Sequence, residues 1–66
     1  MAQAGVVAEF DEEKGFGTIS ADGTGYFFHC TAIAGGSRTI DAGVAVTFEV
    51  VAGHLGRWEA ANVTPR

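Results

Sequence analysis

Few residues of this 66-residue chain can carry chemistry, and their spacing excludes most of the chemistries they might support. Cys30, His29 and His54 are the soft metal ligands, but they lack the paired spacing of a structural zinc site. Asp11-Glu12-Glu13 offers carboxylate oxygens without the longer, regularly spaced loop that holds calcium, and reads as a solvated turn. Cys30 and Thr31 have no activating base at hand, and no pair of carboxylates accompanies a histidine, so nucleophilic and acid–base catalysis both lack their groups. Gly15-Phe16-Gly17 is followed by no helical pattern and so makes no phosphate cradle. The sequence therefore predicts no enzyme, no cofactor and no metal. What remains is a set of rings with a few cations: Phe16, Phe27 and His29, then Lys14, Arg38, Arg57 and the single tryptophan, Trp58.

The elements that must position these residues are short strands. Ten glycines and one proline punctuate brief apolar runs, the rhythm of an all-β chain. Strands are expected over 5–10, 15–20, 26–30, 44–51 and 58–63, with Pro65 ending the last. Asp22-Gly23 is a hairpin signal, because glycine takes the positive φ such turns require. The stretch 31–43 breaks the rhythm, with a short 3₁₀ turn at 31–33 and a loop around Arg38, and 53–57 is the next turn. Alternation places Phe16 and Thr18 on one face of the second strand, with Gly17 and Ile19 on the other. In the third strand Phe27 and His29 share a face, opposite Tyr26, Phe28 and Cys30. Phe16, Phe27 and His29 are thus expected together on an outer face, where the glycines at 15 and 17 leave bare backbone for a base to approach. Val44, Val46, Phe48 and Val50 form the inner face of the fourth strand. Three strands, a longer crossover and two more strands suit a closed Greek-key barrel of the OB type, although an SH3-like barrel fits the pattern almost as well.

The bulk properties agree with one small domain, 1–66, held by an apolar core. A chain of this length buries only about 60% of its unfolded surface, and one cysteine allows no internal disulfide. The 47% hydrophobic content supplies the core and excludes a disordered chain. No apolar run approaches the length of a membrane span, and the N-terminus has no secretory pattern, so a cytoplasmic location away from membranes is expected. The net charge of −4 argues mildly against a polyphosphate partner.

Lys14-Gly15-Phe16-Gly17-Thr18-Ile19 resembles the first RNA-binding motif of the cold-shock domain family, usually K-G-F-G-F-I. Tyr26-Phe27-Phe28-His29-Cys30-Thr31-Ala32-Ile33 resembles the second, usually V-F-V-H-F-S-A-I. The runs 43–50 and 60–63 are similar to the family's fourth and fifth strands, so the likeness covers nearly the whole chain. It implies a five-stranded antiparallel Greek-key barrel of the cold-shock OB type. The implied function is RNA-chaperone-like binding of single-stranded RNA or DNA across the first three strands, with Phe10, Lys14, Phe16, Phe27, His29 and Arg38 on the binding face. Bases stack on such rings at about 1–3 kcal/mol each, with little sequence preference, while cations meet the phosphates.

The departures from that pattern concentrate at the face. The family's first strand, K-V-K-W-F-N, is matched here by residues 6–11, so Val6 and Ala8 replace lysines and Glu9 replaces the tryptophan. Thr18, Cys30 and Ser37 stand where further aromatics are usual. The loss of two useful stacks weakens binding by about one to four orders of magnitude. Arg57 and Trp58, in a turn one residue longer than usual, are candidates to restore a charge and a ring, the alternative being that Trp58 caps the barrel as core. The competing function is a protein-interaction or self-association module, in which exposed Phe10, Phe16 and Phe27 meet a protein partner or a second copy.

Overall fold

The computed structural model describes residues 2–53 and 56–66. His54 and Leu55, expected in the turn after the fourth strand, lie outside the described residues, as does Met1. Five strands form a closed barrel: β1 (Gln3–Asp11), β2 (Phe16–Ala21), β3 (Thr24–His29), β4 (Ala45–Ala52) and β5 (Trp58–Pro65). Their order around the barrel is β1-β2-β3-β5-β4, with β4 returning to pair with β1. All pairings are antiparallel except that of β3 with β5, which run parallel at Phe27 and Glu59.

The turn chemistry is as the sequence requires. Asp22 and Gly23 both take positive φ (50° and 78°) between the paired ends Ala21 and Thr24, so β2 and β3 close through a two-residue hairpin. Cys30–Ala32 and Ala34–Gly36 are short 3₁₀ turns. Cys30 therefore leaves the strand that alternation gave it, and its N–H donates to the Gly15 carbonyl (2.8 Å). An isolated bridge between Ile33 and Val63 ties the crossover to β5. Strand β5 runs two residues beyond Val63, through Pro65. Proline can sit there because a strand end has no need of its missing N–H.

The core lies inside the barrel. Val7, Ile19, Phe28, Val46, Phe48 and Val63 are fully buried, and Ala21, Ile33 and Ala60 nearly so. Val44 and Val50 pack against this cluster, completing the inner face expected for β4. Tyr26 lies against Phe48, with ring centroids 5.2 Å apart.

A bulge in β1 alters the alternation. Val7 pairs with Ile19 and Glu9 with Thr18, so two residues of β1 span one step of β2. Val7 is buried and Ala8 and Glu9 are both exposed, after which Phe10 turns back toward the core. Strict alternation from Val7 would have sent Phe10 outward. Instead its ring stacks on Phe28, at 5.8 Å and 19°.

Gly17 lies between those two rings in the sheet, pairing with Phe10 on one side and Phe28 on the other. A Cβ at Gly17 would collide with the Glu9 carbonyl and reach within 3.0 Å of the Phe10 ring. The missing side chain is what lets the two aromatics close over β2. The expectation that bare backbone at 15 and 17 serves a base is corrected accordingly. Gly17 is buried against β1, and Gly15 holds a positive φ of 75° in the turn, where its N–H donates to the Asp11 carbonyl.

Candidate nucleic-acid interface

Strand register arranges the outer face of β1–β2–β3 in two rows. One runs Asp11, Phe16, His29 and the other Glu9, Thr18, Phe27, Glu59. The inner rows between and beside them are Phe10, Gly17, Phe28 and Val7, Ile19, Tyr26. Because side chains change face at each residue, the same two strands supply the core with Ile19 and Phe28 and the surface with Phe16, Phe27 and His29.

The three outer rings touch. Phe16 and Phe27 lie 5.2 Å apart with planes tilted by 36°, and His29 meets Phe27 edge-on at 5.0 Å. Phe16 and Phe27 are half-buried and His29 is exposed, which suits a platform supported from beneath and open above. The guanidinium of Arg57 sits 5.3 Å above the centre of the Phe27 ring, a cation–π distance. The turn between β4 and β5 thus returns a positive charge to the centre of the face.

The structure treats the remaining expected site residues unequally. Lys14 is exposed in the β1–β2 turn and lines a groove beside Phe16, its backbone N–H donating to Asp11 Oδ1 (3.1 Å). Phe10 also borders that groove, but its ring belongs chiefly to the core through Phe28, so the patch of Phe10, Phe16 and Phe27 expected for a protein partner loses its first member. Arg38 is exposed in the crossover, where it lines a separate shallow depression with Cys30, Ser37 and Gly36. It is not brought to the rings. Trp58 is 61% exposed at the first residue of β5, which overturns the reading that it caps the barrel as core. Alternation sets it in phase with buried Ala60, so it stands at the barrel's end, and Glu59 is the β5 residue beside Phe27.

Of the acidic border the sequence singles out Glu9 alone, as a carboxylate in place of a ring. Glu9, Asp11, Glu12 and Glu13 line the groove of about 480 Å³ whose wall includes Phe16 and Phe27. The turn acids had been read as merely solvated. The signal was available: a turn joining the strands that carry Glu9 and Phe16 must end beside the platform. Among the described residues no cluster of histidine, cysteine, aspartate or glutamate is arranged to hold a metal ion, and no helix is long and apolar enough to cross a membrane.

The comparisons with known proteins agree with this geometry. Residues 3–66 match the family model described as the 'Cold-shock' DNA-binding domain. The chain is 46% identical over 63 residues to the cold shock protein CspB of Bacillus caldolyticus, covering 92% of this chain and 94% of that protein. It is 47% identical over 64 residues to the cold shock-like protein CspD of Bacillus cereus, covering 94% and 96%. It is 45% identical over 65 residues to the cold shock protein ScoF of Streptomyces coelicolor, covering 94% of this chain and 96% of that protein. Among solved structures, Drosophila Unr CSD456 superposes with a TM-score of 0.81 at 26% identity, over the whole of this chain and 27% of that longer one. The five-stranded barrel, the rings set on its second and third strands and these relatives together place the chain in the cold-shock domain family of nucleic-acid-binding domains.

Proposed function

We propose that this protein binds single-stranded RNA or DNA on the outer face of β2 and β3, in the manner of an RNA chaperone. The observation that carries the reading is the contiguous outward cluster of Phe16, Phe27 and His29 on a rigid sheet. One unpaired base stacks on Phe16 and a second on Phe27 as Arg57 swings from that ring to a phosphate, and His29 borders the second. Such contacts contribute about 1–3 kcal/mol per base and accept any base, because every base offers a π face. Arg57 and Lys14 meet the phosphates, and the family's nucleic-acid binding supports this assignment of roles. The activity needs no cofactor. It acts by occupying single strands and so disfavouring their pairing.

The face is poorer in cations than such a role usually requires. Glu9 and Asp11 stand in the rows that contain the rings, so phosphate is repelled along β1 and the strand is held mainly between Phe16 and Arg57. Binding is accordingly weak and limited to a few nucleotides.

The test is an anisotropy titration of a labelled, unstructured heptanucleotide, as RNA and as DNA, at low and moderate salt. Saturable binding that weakens with salt and vanishes in Phe16→Ala supports the reading. A folded protein with no binding up to high micromolar concentration refutes it.

A further inference from the structure

We propose that the groove between β1 and β2 docks an arginine-bearing segment of another protein, on the acidic side of the same rings. Its wall carries the carboxylates of Glu9, Asp11, Glu12 and Glu13 against one ammonium, that of Lys14, and its aromatic surface is Phe16 and Phe27. Among the described residues Glu9, Glu12 and Glu13 make no ion pair or side-chain hydrogen bond, so their charge faces outward uncompensated. Four carboxylates outweigh the one ammonium here, so a phosphate is held less well at this end than beside Arg57. A cation is drawn to it, and the chain's net charge of −4 adds to the attraction.

The aromatic surface selects among cations. A guanidinium is planar, stacks on a ring and presents a fork of donors to carboxylates, whereas an ammonium is a strongly hydrated point charge. The molecule contains its own precedent, since Arg57 lies over Phe27. A second guanidinium entering from the β1 side would stack on Phe16 and pair with Glu9 or Glu13. A segment carrying several arginines could set one on the ring and others along the turn acids. Such a partner shares Phe16 and Phe27 with an oligonucleotide, so the two exclude one another.

The experiment uses the full chain and a labelled heptapeptide in which arginine alternates with glycine, followed by anisotropy and by amide chemical-shift changes. Saturable binding is expected, with shifts confined to the β1–β2 turn and the residues around Phe16. The same peptide with lysine for arginine should bind about fivefold more weakly, because stacking is lost. Glu9→Gln/Glu13→Gln should weaken the arginine peptide about fivefold or more. Asp22→Asn/Asp41→Asn removes the same charge from other exposed sites and should change affinity less than about twofold. The heptanucleotide should respond oppositely to Glu9→Gln/Glu13→Gln and bind more tightly, which separates this site from a general weakening of the face. Equal affinity for lysine and arginine peptides, equal losses in the two double variants, or no saturation at millimolar peptide would each overturn the proposal.

Discussion

The two flanks of the outer face share one pair of aromatic rings and differ in charge: the β1 flank carries carboxylates, whereas the other sets the guanidinium of Arg57 over Phe27 with Glu59 beside it. Along β1, the residues level with Thr18 and Phe16 are Glu9 and Asp11, and the following turn adds Glu12 and Glu13. Along the opposite side, Arg57 covers Phe27 and His29 closes the edge of the ring cluster. The inner rows beneath both flanks are the same uninterrupted apolar layer of Phe10, Phe28, Val7 and Ile19. Charge at the rim has therefore been altered without disturbing the packing that holds the rings in place. Ring placement is a property of the sheet and rim charge is a property of individual outward residues, so the two can be changed separately.

The most severe way to break the comparison is to remove what the flanks share. Phe16→Ala/Phe27→Ala should cost about 2–6 kcal/mol of oligonucleotide binding, one to four orders of magnitude in Kd. Because both rings are only half-buried, a cooperative melting transition should persist, as circular dichroism would report. The next largest effect concerns the layer beneath. Gly17→Ala drives a methyl group into the Glu9 carbonyl and the Phe10 ring and should destabilise the fold by about 1–3 kcal/mol. Urea denaturation measures this, and oligonucleotide affinity of the folded form should change little.

The remaining two changes act on one flank each. Glu9→Lys makes the β1 flank resemble its opposite. Heptanucleotide affinity should rise about five- to tenfold at low salt, and the slope of log K against log salt should steepen by about 0.7. Arg57→Ala should do the reverse and weaken binding by about 0.5–1 kcal/mol, through loss of the charge over Phe27. A Glu9→Lys variant with unchanged salt dependence would show that phosphate does not pass that flank at all.

Strand number, the Asp22-Gly23 hairpin and the common face of Phe16, Phe27 and His29 were legible in the sequence. Each depends on local alternation or on turn chemistry, and the resemblance to the cold-shock family gave the order in which the strands close. Phe10 is set on the binding face by the resemblance alone; a bulge that no residue type announces adds one residue to β1 and turns its ring toward Phe28, while it still borders the groove. A second irregularity between Thr47 and Glu49, opposite Asn62 with its φ of 55°, keeps Ala60 and Val63 both buried although they are three residues apart. For Trp58 the sequence allows either a ring restored to the face or a cap on the core, and a strand's first residue has too few neighbours to cover an indole. Arg38 is expected on the binding face only through the resemblance, since a crossover of small residues has no periodicity to follow, and it lines a separate depression instead.

The bulge also decides where this protein can tolerate a change in length. The crossover between Ala34 and Gly43 runs outside the ladders and can gain or lose a residue with modest cost. Between Val7 and Phe10 the count cannot grow by one. Deleting Ala8 would only remove the bulge and leave Glu9 outward and Phe10 inward, whereas inserting one residue beside Ala8 would point the Phe10 ring at the solvent and draw the Glu9 carboxylate into the barrel against Phe28. A one-residue insertion would thus exchange a packing ring for a stacking one and bury an unpaired charge, a double penalty that no single substitution on this strand imposes.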